Sequence, residues 1–172
     1  MDEKRIKIAE RNFKSYLERG LIKKSQFEDI VYKAYVNNSL ESLKVANELL
    51  SNKTSSLWVV VSSYYSMFYI ACAYLYKKGY KSSQEIVHQV VNESLIVLAR
   101  KDLEKHFLEE YEEDRGVALS ASENLLDNYE LEKTKRSKFQ YETTEIIKEA
   151  RAKTSLERAK NFVAVVRQLI KE

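Results

Sequence analysis

The apolar positions along the chain recur at helical spacing almost throughout. Ile6, Ile8, Ala9, Phe13, Tyr16 and Leu17 form one stripe, and Gly20 follows as a natural stop, so the first helix is predicted over residues 2–19. A second stripe runs from Phe27, Ile30, Val31, Ala34 and Tyr35 to Leu49 and Leu50, with Ser25 as its expected cap. Thr54, Ser55 or Ser56 caps the next helix, and Lys77, Lys78 and Gly79 close it. Ser82-Ser83-Gln84-Glu85 reads as a capping box opening a helix through Ile86, Val90, Leu95 and Leu98. A short acidic helix over 101–114 is expected to end near Gly116. Further helices are expected over about 118–140 and 144–171.

The pattern is broken at one place. LWVVVSSYYSMFYIACAYLYKK holds 20 residues, Leu57 to Tyr76, without a formal charge. That length suits a membrane-crossing helix or the inner helix of a bundle. Trp58 and the flanking lysines favour a membrane. Ser62, Ser63, Ser66 and five tyrosines weigh more heavily against one, because hydroxyls inside a bilayer need partners. The surrounding amphipathic helices also need an apolar partner for their stripes. An inner helix is expected, and no membrane association.

Composition supports this reading. The 172 residues contain no proline and three glycines, too little turn punctuation for a sheet-rich fold. The expectation is a single all-α domain over 1–172, an up-and-down bundle of about five to six helices. Helix 2–19 is an accessory extension in that scheme. The charged N-terminus has no apolar core of a signal peptide, and Cys72 is alone, so a cytoplasmic location without disulfides is expected. Net charge +3 is too small to imply nucleic acid by itself.

Little in the chain speaks for metal or nucleophilic chemistry. There are two histidines, His88 and His106, no Cys-x-x-Cys, no phosphate-cradling glycine loop and no nucleophile elbow. Glu109, Glu110, Glu112, Glu113 and Asp114 are read as a solvated acidic face rather than a metal site. Cys72, among Ile70, Ala71 and Ala73, is read as a buried inert thiol. No metal and no cofactor is expected.

One segment carries candidate chemistry: LEKTKRSKFQY, residues 131–141. Lys133, Lys135, Arg136 and Lys138 form a basic cluster beside Phe139 and Tyr141. Such an Arg grips a phosphate through two parallel hydrogen bonds, lysines add charge, and Tyr stacks on a base or donates its hydroxyl. Arg136 and Gln140 share a helix face, while Tyr141 lies about 140° round and roughly 7.5 Å along. The alternative is a solvated basic face with Phe139 in the core.

Taken together, SSYYSMFYIACAYLYKKGYKSS and Arg136-Ser-Lys-Phe-Gln-Tyr141 followed by EARAKTSLERAKNFVAVVRQLI resemble small prokaryotic HEPN-domain proteins over roughly residues 35–170. The resemblance implies a HEPN-like helical bundle that pairs as a homodimer. It also implies binding of RNA or a nucleotide. Many such proteins are metal-independent ribonucleases, often toxins of toxin–antitoxin pairs whose partner is a minimal nucleotidyltransferase. Their motif is Arg, four to six residues, then His, in a cleft between subunits. Arg136 matches the Arg, and Tyr141 stands where the shortest spacing places the His. A phenol of pKa about 10 exchanges protons poorly near neutrality, unlike an imidazole. The resemblance therefore implies either a ribonuclease with Arg136 and Tyr141 as its reacting groups or a non-catalytic helical partner of a nucleotidyltransferase. Lys133, Lys135, Lys138 and Gln140 would contact the nucleic acid. His88, in EIVHQVV, is either a second polar residue of the family pattern or a satisfied histidine on a helix edge.

Overall fold

The computed structural model describes the backbone of residues 1–134 and 148–171, and the side chains of 1–122 and 148–171. Among these residues lie six helices and two three-residue strands. They run in the order α1 (Glu3–Glu18), β1 (Ile22–Lys24), α2 (Asp29–Ser51), α3 (Ser56–Lys77), β2 (Tyr80–Ser82), α4 (Val87–Ala99), α5 (Lys105–Thr134) and α6 (Glu149–Lys171). The all-α reading holds, with a small antiparallel ribbon added. In it Ile22 faces Ser82, Lys23 faces Lys81 and Lys24 faces Tyr80.

The uncharged stretch forms α3, and Ser55 caps it by accepting a hydrogen bond from the Trp58 backbone. It is the helix long and apolar enough to cross a membrane among the described residues, and 67% of its apolar window is buried inside the fold. Val59, Tyr64, Met67, Ile70 and Ala71 are fully covered, against Leu156, Ala159, Phe162 and Val166 of α6 and Leu95 and Tyr111 of α4 and α5. Complete burial of such side chains contributes about 1.5–3 kcal/mol each. Several of its hydroxyls are paired as a core favours, while the buried Ser63 Oγ has no partner among the described residues. Tyr74 Oη meets Asp102 Oδ2 at 2.5 Å, and Tyr76 Oη donates to the Gln26 carbonyl at 3.0 Å. Ser66 Oγ donates to the Ser63 carbonyl, while the buried Ser39 Oγ of α2 donates to the Ser66 carbonyl at 2.7 Å. Cys72 is buried, and burial pushes its thiol pKa up, as an inert core thiol requires.

Several boundaries differ from the sequence expectation. Residues 22–24 pair as a strand, so α2 starts at Asp29 and not near Ser25. Ser82 belongs to β2, and the Ser82–Glu85 box does not form. Instead α4 begins after Ile86, which occupies the N-cap in the left-handed region at φ 40 and has no side-chain cap. A β-branched residue there is strained. The helix expected over 144–171 begins at Glu149, residues 144–147 lying outside the described part.

The largest difference is at Gly116. Helices 101–114 and 118–140 are expected as separate pieces, yet α5 runs unbroken from Lys105 to Thr134. A glycine inside a helix costs only about 1 kcal/mol, which the buried neighbours Asp114 and Ala118 override. A Cβ at Gly116 meets nothing within 4 Å. Gly116→Ala is therefore expected to stabilise the protein by about 0.5–1 kcal/mol in urea unfolding. A destabilised variant would contradict the continuous helix, because a glycine closing one helix would not accept the side chain.

Candidate functional site

The sequence places the candidate chemistry between α5 and α6. Lys135, Arg136, Lys138, Gln140 and Tyr141 lie outside the described residues. Lys133 lies on the described backbone of α5, outside the described side chains. What the structure defines is the pairing of the two helices that flank that segment in the chain, and a second polar cluster.

The pairing is an ionic clasp joining the two helices. On α5, Glu110, Glu113 and Asp114 share a face by their spacing; on α6, Arg151, Ser155 and Arg158 do the same. Asp114 is completely buried. Its Oδ1 accepts from Ser155 Oγ at 2.7 Å and from Arg151 Nη2 at 2.8 Å. Arg151 Nη1 also donates to Glu113 Oε1 at 2.6 Å, and Arg158 Nη1 to Glu113 Oε2 at 3.0 Å. Burial pushes the Asp114 carboxyl above the ordinary range, against the opposing pull of Ser155 and the two arginines. Glu113 feels burial too, but the Arg151 hydrogen bond and both arginine charges bring it below its usual value. The acidic run is thus not simply a solvated face. It splits around the helix, and its Asp114 is a buried anchor. Residues 115–150, which contain the whole basic segment, leave and return at this clasp.

The second cluster centres on His88, in the first turn of α4. Its Nδ1 lies 2.8 Å from Tyr64 Oη of α3. The ring packs against Phe68, centroids 4.5 Å apart, and against Tyr65 at 5.6 Å. Tyr64 also contacts Tyr111 of α5, whose buried hydroxyl has no hydrogen-bond partner among the described residues. Arg115 lies one turn beyond Tyr111 on the same face of α5. Burial, reinforced by the Arg115 charge, lowers the pKa of His88, and burial raises that of Tyr64. The imidazole is therefore neutral near pH 7 and Tyr64 keeps its proton, so the two neutral groups share one hydrogen bond. In a pH titration followed by imidazole NMR, His88 is expected to reach its midpoint below about 6.5, the ordinary histidine value. A midpoint at or above that value would contradict the assignment.

A third polar contact docks α1 on this edge. Arg5 donates to Glu112 Oε1 from Nε at 2.9 Å and from Nη2 at 2.7 Å, and Asn92 Nδ2 adds a bond at 3.1 Å. Tyr16 Oη donates to the buried Glu93 at 2.8 Å, and burial together with this carboxylate pushes the Tyr16 pKa up to about 12.

Sequence reasoning found His88 but not Tyr64 as its partner, and it missed the Asp114 clasp. The signal for the clasp was present: acids at three- and four-residue spacing on one helix match Arg-x3-Ser-x2-Arg on another. The signal for the His88 cluster was weak, since its members come from three helices.

Among curated proteins and among solved structures, nothing matches the chain. The profile of the HEPN domain matches residues 32–169, from the first turn of α2 to near the end of α6. That span includes the inner helix α3, the clasp, His88 and the whole Arg136 segment, and leaves out α1 and β1. By this match over four-fifths of its length, and by the helical bundle that accompanies it, the chain belongs to the HEPN domain family.

Proposed function

We propose that this HEPN protein binds RNA through the basic segment around Arg136 and cleaves it without a metal. Family membership supports a nucleotide- or RNA-related role. The observation that carries the finer reading is the basic cluster Lys133, Lys135, Arg136 and Lys138 inside the matched span, beginning in the last turn of α5. Arg136 holds a backbone phosphate through two hydrogen bonds, and the lysines add screened, sequence-independent attraction. In cleavage, the RNA 2′-OH gives its proton to solvent water and attacks the adjacent phosphorus, forming a 2′,3′-cyclic phosphate as the P–O5′ bond breaks. The 5′-oxygen leaves and gains a proton. Arg136 stabilises the charge that builds on the phosphate oxygens. Tyr141 orients or donates at the position where an imidazole would exchange protons, and Gln140 adds a hydrogen-bonding group.

The reading includes a homodimer that brings two segments to one cleft, and a role as the toxin of a toxin–antitoxin pair. Purified protein is expected to bind and degrade RNA in the presence of a chelator, and Arg136→Ala to bind it more weakly and to lose most of the cleavage. Absence of both activities in the wild type, or their persistence at the wild-type level in the variant, would refute it.

Tyr141 itself favours a second reading. Without an imidazole the protein serves as a non-catalytic partner that binds and regulates a minimal nucleotidyltransferase. RNA binding without cleavage, together with co-purification of a nucleotidyltransferase encoded by a neighbouring gene, would select it.

A further inference from the structure

We infer that the β1–β2 ribbon is a second RNA-docking surface, with Lys23, Lys24 and Lys81 as its phosphate contacts. The inference rests on the RNA reading above and adds to it a surface built by other residues.

The positive charge of the chain is concentrated in two short segments. Residues 19–26 carry Arg19, Lys23 and Lys24, residues 77–84 carry Lys77, Lys78 and Lys81, and neither holds a carboxylate. Six cations lie here against a whole-chain net charge of +3, so the remaining residues are net negative by three. The ribbon joins the two segments and sets Lys23 directly opposite Lys81. Opposed side chains stand about 4.5–5.5 Å apart at Cβ, and like charges there destabilise the pairing. Stability alone favours a carboxylate at one of the two positions. A phosphate lying across both removes the repulsion.

The three ribbon lysines are also uncommitted. Lys78 pairs with Asp102 at 2.9 Å, and Lys77 donates to the Ile170 carbonyl at 2.7 Å. Lys44, Lys105 and Lys160 each pair with a carboxylate of their own helix. Lys23, Lys24 and Lys81 are exposed and, among the described residues, have no ion-pair partner. Lys24 borders a depression of about 460 Å³, walled by Ser25, Gln26, Lys78, Gly79 and Tyr80. Its walls are fixed. The Ser25 backbone N–H donates to the Gly79 carbonyl at 2.9 Å, and Tyr76 Oη holds the Gln26 carbonyl and the Glu28 N–H.

The arrangement suits a strand of phosphates better than a lipid surface. Successive side chains of a β-strand point to opposite faces, so Lys23 and Lys81 share one face and Lys24 lies on the other. A single strand curves over the ribbon edge into the depression and meets both faces. A flat anionic membrane meets one. The family's nucleotide- or RNA-related role favours RNA in the same way. The Lys77–Ile170 bond places the ribbon beside the C-terminal end of α6, about 30 Å along the helix from Glu149. An RNA stacked at about 3.4 Å per nucleotide takes about nine nucleotides to cover that distance. A shorter RNA therefore occupies one surface at a time, and its salt dependence reports the stronger 133–138 cluster.

The test uses the full chain and 2′-O-methyl single-stranded oligonucleotides, which lack the attacking 2′-OH and stay intact during equilibrium binding. One is about five nucleotides long and the other about twenty, below and above the length that covers both surfaces. Lys23→Gln/Lys24→Gln/Lys81→Gln is expected to weaken binding of the long strand tenfold or more. Its salt slope is expected to become shallower by about 2, for three phosphates at about 0.7 each. The short strand is expected to lose far less. Lys44→Gln/Lys105→Gln/Lys160→Gln removes the same net charge and is expected to leave the slope unchanged. Thermal unfolding of the ribbon variant is expected at or above the wild-type temperature, because opposed charges are relieved. Wild-type affinity and slope in the ribbon variant overturn the inference, as does an equal loss in the control variant. Vesicles of phosphatidylserine that bind through the ribbon lysines, with RNA affinity unaffected by their loss, also overturn it and assign the surface to a membrane. If the ribbon variant binds normally while Arg136→Ala binds weakly, this inference fails and the Arg136 reading stands. The reverse pattern sinks the Arg136 reading and keeps the ribbon; a wild type that binds neither strand refutes both.

Discussion

Asp114→Ala is expected to lower the unfolding free energy by about 3 kcal/mol, at the lower end of the 3–5 kcal/mol seen when one partner of a buried pair is removed. Asp114 has no exposed surface, and its loss leaves Ser155 Oγ and Arg151 without their acceptor. The lower end applies because Arg151 retains about a quarter of its side-chain exposure and keeps Glu113. A domain of this size has about 5–15 kcal/mol in total, so the variant is expected to be markedly less stable in urea unfolding. Asp114→Asn keeps an acceptor for Ser155 and is expected to lose less. The pair Lys33–Asp29 is exposed and screened by solvent, so Asp29→Ala is the control with the smaller expected effect. Equal effects of Asp114→Ala and Asp29→Ala would show that the clasp does not hold α5 to α6.

The second large effect is functional. Arg136→Ala is expected to reduce RNA cleavage by about 10²–10³-fold, the range for removing one donor that meets charge developing in the transition state. Arg136→Lys keeps the charge but not the paired hydrogen bonds, and is expected to fall between the two. Both variants should match the wild type in thermal unfolding, which separates lost chemistry from lost structure. If the protein is the non-catalytic partner, cleavage is absent from the wild type and the loss appears in binding alone.

Much of the fold was legible because α3 states its environment in its own residues. Twenty uncharged positions need burial, while serines and tyrosines among them need hydrogen-bond partners, and a bundle core supplies both. The caps at Ser55 and the left-handed glycines Gly20 and Gly79 are equally local signals. The strands were not legible. Three residues give no alternation, and Ile22 is buried only because β2 and α4 come to it from about 60 positions along the chain. Gly116 misled for the opposite reason: its local signal is real, and the packing on either side of it is stronger.

The candidate site divides in the same way. Arg136 and its lysines are visible because they fall within six residues of sequence. The clasp was hidden because it joins residues 37 or more positions apart, and acids consecutive in sequence look solvated until their helix faces are assigned. His88 could be singled out as a rare residue, but its hydrogen-bond partner is Tyr64, which the fold alone brings to it.

The claim that the 133–138 cluster grips RNA is tested most directly by the salt dependence of binding to a single-stranded RNA. With Lys133, Lys135, Arg136 and Lys138 each neutralising one phosphate, the logarithm of the binding constant is expected to fall against the logarithm of salt with a slope of about −3. Arg136→Ala is expected to bind more weakly and to make that slope shallower by about 0.7. A wild-type protein that binds RNA with the same slope and affinity as the variant would contradict the account.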